Sequence, residues 1–422
     1  MTAHFSKTKL PANQPTTHHA AMKLPIETIR KSVIANRVLA TGIAGLLAAA
    51  AASAANLSYD AVDLTFNGTI GIDTITPANN TWTNTTPVNW EGAAVEVGWT
   101  DATGVDVAIF GGATGGTVTI PTGTTIVGNG ITFLTDGYAI AGPGGFNFRG
   151  TTPTLTVGAG LTANFTAANN QNGQVAVTVT GGGFLNWGAA SNGSAMTVLG
   201  GTVVTLTGGG TGVGQSLGGG TDTITSGVVT IGGTGTDLIF DTAIFTGSAT
   251  GTFDYNGKSE VIGALGGSVA VTNVSSVGSS VLRLSTGTQT HTGAISDGTG
   301  IMSLRTVGSA NQFAYNIALV QTLAGTNTYT GTTTHGKGTL TLDFSNASAP
   351  NSDILYNAVA KNSLILAGNT VGGDGSATRV SFTLTGKAST NNSQAFAGLT
   401  FGANSGSGIA INRFLLTFRG II

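Results

Sequence analysis

Val118 and Ile120, Ile131 and Phe133, Tyr138 and Ile140, Val175-Val177-Val179, Leu340-Leu342-Phe344 and Val380-Phe382-Leu384 set apolar side chains two positions apart, each time with a small or polar residue between. A spacing of two puts the apolar groups on one face of an extended chain, which predicts half-buried strands of about five residues. Gly-Gly, Asn-Gly and Asp-Gly pairs separate these bursts and supply the backbone corners that frequent turning needs. Beyond residue 56 no apolar stripe at helical spacing is sustained between caps, so essentially no helix is expected.

Three stretches share one frame: Gly251-Thr-Phe-Asp-Tyr-Asn-Gly257, Gly287-Thr-Gln-Thr-His-Thr-Gly293 and Gly325-Thr-Asn-Thr-Tyr-Thr-Gly331, at nearly equal spacing. A period of that size points to stacked units, none of which buries its apolar face alone. Strands and glycine corners without helices make the stack an all-β fold, a β-solenoid, in its simplest form a parallel (right-handed) β-helix with two turns per repeat. Inward Val, Leu, Ile and Phe then each stabilise by roughly 1.5–3 kcal/mol. Outward Thr, Ser and Asn pair between coils for roughly 0.2–1 kcal/mol each. Equivalent residues lie about 4.8 Å apart in such a stack, so like charges repel and few are expected.

Composition agrees and narrows the field. Charged residues are 8% of the 422, glycine is 67 and proline 9. Disorder does not follow, because 40% of residues are apolar and the net charge is only −2, leaving ample surface to bury. Collagen is excluded by the lack of glycine at every third position.

The stretch 1–55 differs in kind. Arg30, Lys31 and Arg37 precede an uncharged run from Val38 to Ala52, and Ala52-Ser53-Ala54 and Ala55-Asn56 supply small residues at cleavage spacing, the signature of a secretory signal peptide. The polar residues ahead of Met22 place the expected start there, which leaves His18 and His19 outside the protein. The expected organisation is a leader over 1–55, a capping region with the first coils over 56–150, a repeat-built solenoid over 151–410 and an atypical tail over 411–422. Without the leader the chain keeps ten Lys/Arg against seventeen Asp/Glu, a net of −7. Arg149 is the one base between Asp60 and Asp254, so nucleic acid is an unsuitable partner. There is no cysteine, so an exported chain would be held by packing and hydrogen bonds, with no covalent loop to obstruct a secretion pore.

Leu323-Ala-Gly-Thr-Asn-Thr-Tyr-Thr-Gly331 followed by Gly338-Thr-Leu-Thr-Leu342 resembles the autotransporter-associated β-strand repeat of bacterial surface proteins. Gly293-Ala-Ile-Ser-Asp-Gly-Thr-Gly300 is similar to the preceding part of that repeat. Thr81-Trp82, Asn89-Trp90, and Ala108-Ile-Phe-Gly-Gly112 through Asp136-Gly-Tyr-Ala-Ile140 resemble the start of such passengers, and Gly386–Gln394 with Phe396–Thr400 a downstream unit. The likeness covers most of the span 77–400 in motifs of low complexity. It implies a secreted or surface-displayed β-helical passenger with no shared catalytic residues; the Thr/Asn-rich outer face and the export signal add the expectation of a structural or adhesive role in contact with glycans or other cell-surface components. The family's passengers end in an outer-membrane barrel of repeated alternating strands of about ten residues. Asn412 to Ile422 does not begin such a series, so a truncated or frame-shifted passenger is expected, whose outer-membrane association would need a barrel or anchor outside this chain.

Chemical motifs are few. Gly331-Thr-Thr-Thr-His-Gly336-Lys337-Gly338 matches G-x-x-x-x-G-K but lacks the hydroxyl that binds magnesium, and Thr339 to Phe344 alternate as a strand where a phosphate loop requires a helix. The glycine run from Gly208 to Gly220 never satisfies G-x-G-x-x-G and reads as a corner. His291 takes the repeat position of Tyr255 and Tyr329 and is expected to stack with them. His291 and His335, the two histidines beyond the leader, do not make a zinc site without cysteine, and nothing activates a particular serine for a triad. Asp101 with Asp106, or Asp237 with Asp241, offers carboxylates for a polysaccharide lyase or hydrolase on fold analogy. Trp82, Trp90 and Trp99 fit either a sugar-stacking platform or a cap on the first coil. No catalytic, cofactor-binding or metal-binding residue is assigned, and the polysaccharide-active enzyme is the alternative to the passenger.

Overall fold

The computed structural model describes residues 56–59, 81–84, 90–91, 96–97, 99, 103–169, 176–188, 195–208, 215–235, 237–307, 319–357, 361–367, 380–401, 408–412 and 415–418. The leader, Asp101, Val175, the middle of the 208–220 glycine run and parts of the C-terminal tail lie outside these residues. Among the described residues every regular element is a strand, and the strands stack in parallel as a β-solenoid with about nine turns along its longest sheet.

Each coil visits three faces in turn. Strands Val107–Phe110, Gly130–Phe133, Thr154–Val157 and Val177–Thr180 lie on the first face, and Thr117–Thr119, Tyr138–Ala141, Thr162–Phe165 and Phe184–Trp187 on the second. Thr125–Gly128, Gly145–Phe148 and Ala168–Asn169 form the third. Ala108 pairs with Ile131, Ile131 with Leu155 and Leu155 with Val179, so successive coils here are almost equal in length. These residues are all buried, as the alternation predicts: one residue in two points inward, and a coil pairs inward residue with inward residue. Outside, Asn186 Nδ2 donates to Asn164 Oδ1 at 2.8 Å between coils, the polar ladder expected on the solvent side.

The first coil is closed by a different geometry. Strand Asn56–Tyr59 runs parallel to Val107–Phe110, but Trp90–Glu91 pairs with it antiparallel and Glu96–Val97 pairs antiparallel with that. Trp82, Trp90 and Trp99 pack ring to ring at centroid distances of 4.8–5.2 Å and are buried. They cap the apolar interior, and the sugar-platform reading is set aside because their faces are spent on one another and on Phe110.

Further along, the first sheet ends at Ala264–Leu265, and the five-stranded sheet that starts at Gly287–His291 takes over the same face through a bridge between Gly267 and His291. The third face continues as a six-stranded sheet of Glu260–Ile262, Ser279–Leu284, Ile301–Thr306, Thr333–His335, Ser363–Leu366 and Gly398–Phe401. Coil length now varies: Phe253 pairs with Val271 after a short coil, whereas the coil that separates Leu342 from its partner Leu384 is far longer. This variation corrects the expected two turns per repeat. The three Gly-Thr frames fall out of phase, with Gly251–Gly257 on the second face, Gly287–Gly293 starting on the first and Gly325–Gly331 an irregular segment. Tyr255, His291 and Tyr329 are all buried, yet His291 pairs with Leu323 rather than with either tyrosine.

Candidate functional site

The carboxylates are the natural starting point, and among the described residues several are occupied in holding coils together. Asp136 accepts the Thr162 N–H at 2.7 Å, Asp222 that of Met196 at 2.8 Å and Asp353 that of Ala395 at 2.7 Å. Asp297 accepts from the N–H of Met302 (2.7 Å) and from both the N–H and the hydroxyl of Thr330. Each bond crosses between segments distant in sequence or closes a turn, so these acids act as brackets.

Asp237 and Asp241 do come near one another, and both raise the proton affinity of a third carboxyl, Glu260. Glu260 begins its strand on an inward position, where it is 3% exposed and accepts the N–H groups of Leu238 (3.0 Å) and Val261 (3.1 Å). Desolvation is the main cause that pushes its pKa to about 8, against the lowering effect of those two bonds. The Gln215 amide donates to Asp237, and the Ser285 hydroxyl to the main-chain carbonyl of Asp241. A glutamic acid that is protonated at neutral pH has the chemistry of a general acid, but Glu260 faces the interior, where a polysaccharide does not reach. Asp106 lies at a separate corner, before Val107–Phe110.

The histidines are interior groups. His335 Nε2 donates to the Ser381 carbonyl at 3.0 Å and its Nδ1 accepts from the Thr306 hydroxyl at 2.7 Å. The carbonyl partner sets this tautomer, since a carbonyl oxygen only accepts. His291 sits 3.4 Å from the Gly266 carbonyl. Burial pushes the pKa of both down to about 4. Among the described residues no group of three or more His, Cys, Asp or Glu is arranged to hold a metal ion.

The phosphate-loop-like stretch is part of the third face. Thr333–His335 is a strand paired with Ile301–Thr306 and Ser363–Leu366. Its glycines have packing reasons. A Cβ on Gly331 would run into the Met302 carbonyl and the Ser303 hydroxyl. Gly338 has φ +77° beside the Leu319 carbonyl.

The outer side of the third face remains open to solvent. Arg283 and Arg305 occupy directly paired outward positions on consecutive coils, between inward leucines 282, 284 and 304. Lys258 stands at the corner entering this face one coil earlier, and Lys337 at the corner leaving it one coil later, its N–H bonded to the Thr306 hydroxyl. Lys361, on the next coil, is paired with Asp353 at 2.9 Å. Comparison with protein-family models, with curated proteins and with solved structures gives no match. Neither Glu260 nor the two arginines stand out in the sequence. Their signal lies in spacing, for Arg283 and Arg305 are separated by one local coil, which is visible only once the register is known.

Proposed function

We propose that this chain is an exported, surface-displayed β-helical passenger whose role is structural and adhesive: a stiff rod that presents long polar faces away from a cell. The observation that carries this reading is the division of labour between the two sides of each strand. Among the described residues apolar side chains and several carboxylates are turned to internal bonding, while Thr, Ser, Asn and a few bases are left outside in repeated columns. The likeness of the segment 323–342 to the autotransporter-associated repeat, the leader pattern ahead of Asn56 and the lack of cysteine support the same reading. Among the described residues Glu260 faces inward and Asp136, Asp222, Asp297 and Asp353 hold coils together, which makes the polysaccharide-active alternative the weaker one.

Expression of the full chain in a Gram-negative host tests the proposal by fractionation, protease shaving of intact cells and N-terminal sequencing. The expected result is a protein beginning near Ala55 or Asn56 and found at the surface or in the medium. Full-length protein retained in the cytoplasm would overturn it.

A further inference from the structure

The net charge of the chain is negative, yet a stretch of the third face carries a row of bases. Over four successive coils the third face carries one base each: Lys258, Arg283, Arg305 and Lys337. In the register of the sheet Lys258 lies at the near corner, the arginines toward the middle and Lys337 at the far corner. The positive charges therefore cross the face obliquely rather than as a column. Among the described residues none of the four has a carboxylate within ion-pair distance. Of the nearby acids, Glu260 faces inward, Asp237 accepts from Gln215, Asp297 is held by Met302 and Thr330, and Asp353 is held by Lys361, while Asp241 lies with Asp237 beside Glu260 at the start of the row.

The arginine pair is costly for folding. Two like charges placed directly opposite on neighbouring strands, about 4.8 Å apart, destabilise a sheet. With only ten bases beyond the leader, pairing two of them contributes nothing to the core. Arg283 also has a buried Nε with no acceptor in the structure, so the protein does not satisfy even the inner part of this guanidinium. An unpaired row of donors on a flat strand face is suited to a chain of anions at regular spacing.

We infer that the oblique row Lys258–Arg283–Arg305–Lys337 is a binding site for an acidic polysaccharide, one bearing uronate or sulfate groups. A glycan fits better than a nucleic acid. The outward positions around these bases hold Ser279, Ser303 and Thr334, whose hydroxyls can meet sugars, together with Val261, Val281 and Ile301, with no aromatic ring among them on which a base would stack. Arginine forks bind carboxylate and sulfate through paired N–H groups. The inference rests on the surface reading above for its biological setting, whereas the binding itself is a property of the folded chain.

Purified full-length protein is titrated with polygalacturonate and dextran sulfate, with neutral dextran and single-stranded DNA as comparators, over a range of salt. Both acidic glycans are expected to bind and neutral dextran not. Replacing both arginines (R283Q with R305Q) should weaken binding at least tenfold and reduce the salt slope by about two, one per charge removed. R149Q with K387Q makes the same change in net charge away from the row and should leave binding unchanged. If the arginine variant does not fold, K258Q with K337Q reads the same row at its corners. Absence of binding to either acidic glycan, equal loss in the off-row variant, or tighter binding of DNA would each overturn the inference. A surface-exposed protein that ignores both glycans removes this site alone, while a glycan-binding protein confined to the cytoplasm removes only the passenger reading.

Discussion

The side-chain amide of Gln321 bonds both backbone groups of Leu265, accepting its N–H at 3.0 Å and donating to its carbonyl at 2.8 Å. Gln321 thus supplies an interior rung where the first sheet hands over to the next. Gln394 does the same for Leu355, accepting its N–H at 3.0 Å and donating to its carbonyl at 2.7 Å. Asn327 accepts the Ile295 N–H and donates to the Ile354 carbonyl. Buried main-chain groups need partners, and where strands are interrupted these inward amides provide them.

Replacing Gln321 by leucine leaves the N–H and C=O of Leu265 without those bonds, at about 1–3 kcal/mol for each buried group. The expected loss is about 2–6 kcal/mol in chemical denaturation, with faster hydrogen exchange at the Leu265 amide. Unchanged exchange there would show that the amide does not hold the two sheets together.

The alternation at 118–120, 131–133, 138–140, 340–344 and 380–384 identified strands and inward faces correctly, because burial on one side of a strand leaves a period of two in the residues themselves. The irregular part of the fold was not legible in this way. Coils as unequal as those ending at Val271 and Leu384 bury equivalent positions without equal spacing, so the Gly-Thr frames suggested a phase that the register does not keep. Amide bridges such as Gln321 to Leu265, remote from each other in the chain, leave no local trace. The arginine row was hidden for the same reason: a face of a solenoid is a property of register, and composition alone reports only a net charge.

His335 and His291 make the fold sensitive to acid. Each is held neutral with a pKa lowered from 6.5 to about 4, chiefly by desolvation. Between those values the unfolded chain binds a proton that the folded chain refuses, so stability is complete above pH 6.5 and falls as pH is lowered toward 4. The full effect is on the order of 3 kcal/mol for each histidine. Glutamine at 335 keeps one donor for Ser381 and one acceptor for Thr306 while removing the titration. The difference in unfolding free energy between H335Q and the parent should therefore shift toward the variant from about pH 7 to about pH 4.5, and a difference that does not change with pH would dismiss the buried neutral imidazole.

Gly338 separates the packing account of the phosphate-loop-like stretch from a nucleotide account. Its backbone is left-handed, and an added methyl would press on the Leu319 carbonyl, so alanine there should cost about 1–2 kcal/mol from handedness alone. K337A, by contrast, alters an outward side chain and should leave the melting temperature nearly unchanged. Millimolar ATP with magnesium should stabilise neither the parent nor these variants, because Thr339–Asp343 is a strand and offers no helix N-terminus. A ligand-induced rise in melting temperature that K337A abolishes would restore the nucleotide reading.

Glu260 should act with the opposite sign to the histidines. Its pKa is raised from 4.5 to about 8, so across that window the folded chain keeps a proton that the unfolded chain has released. Stability is then greatest below pH 4.5 as far as this group is concerned and declines as pH rises, levelling off above about pH 8, with a full effect on the order of 5 kcal/mol. E260Q removes the titration but retains only one acceptor for the two N–H groups of Leu238 and Val261, a loss of about 1 kcal/mol. The variant is expected to be slightly less stable than the parent near pH 5 and more stable near pH 9, with the two curves crossing between. Parallel curves over that range would mean that the carboxyl ionises freely in the folded coil, and the interior placement of Glu260 would then have to be abandoned.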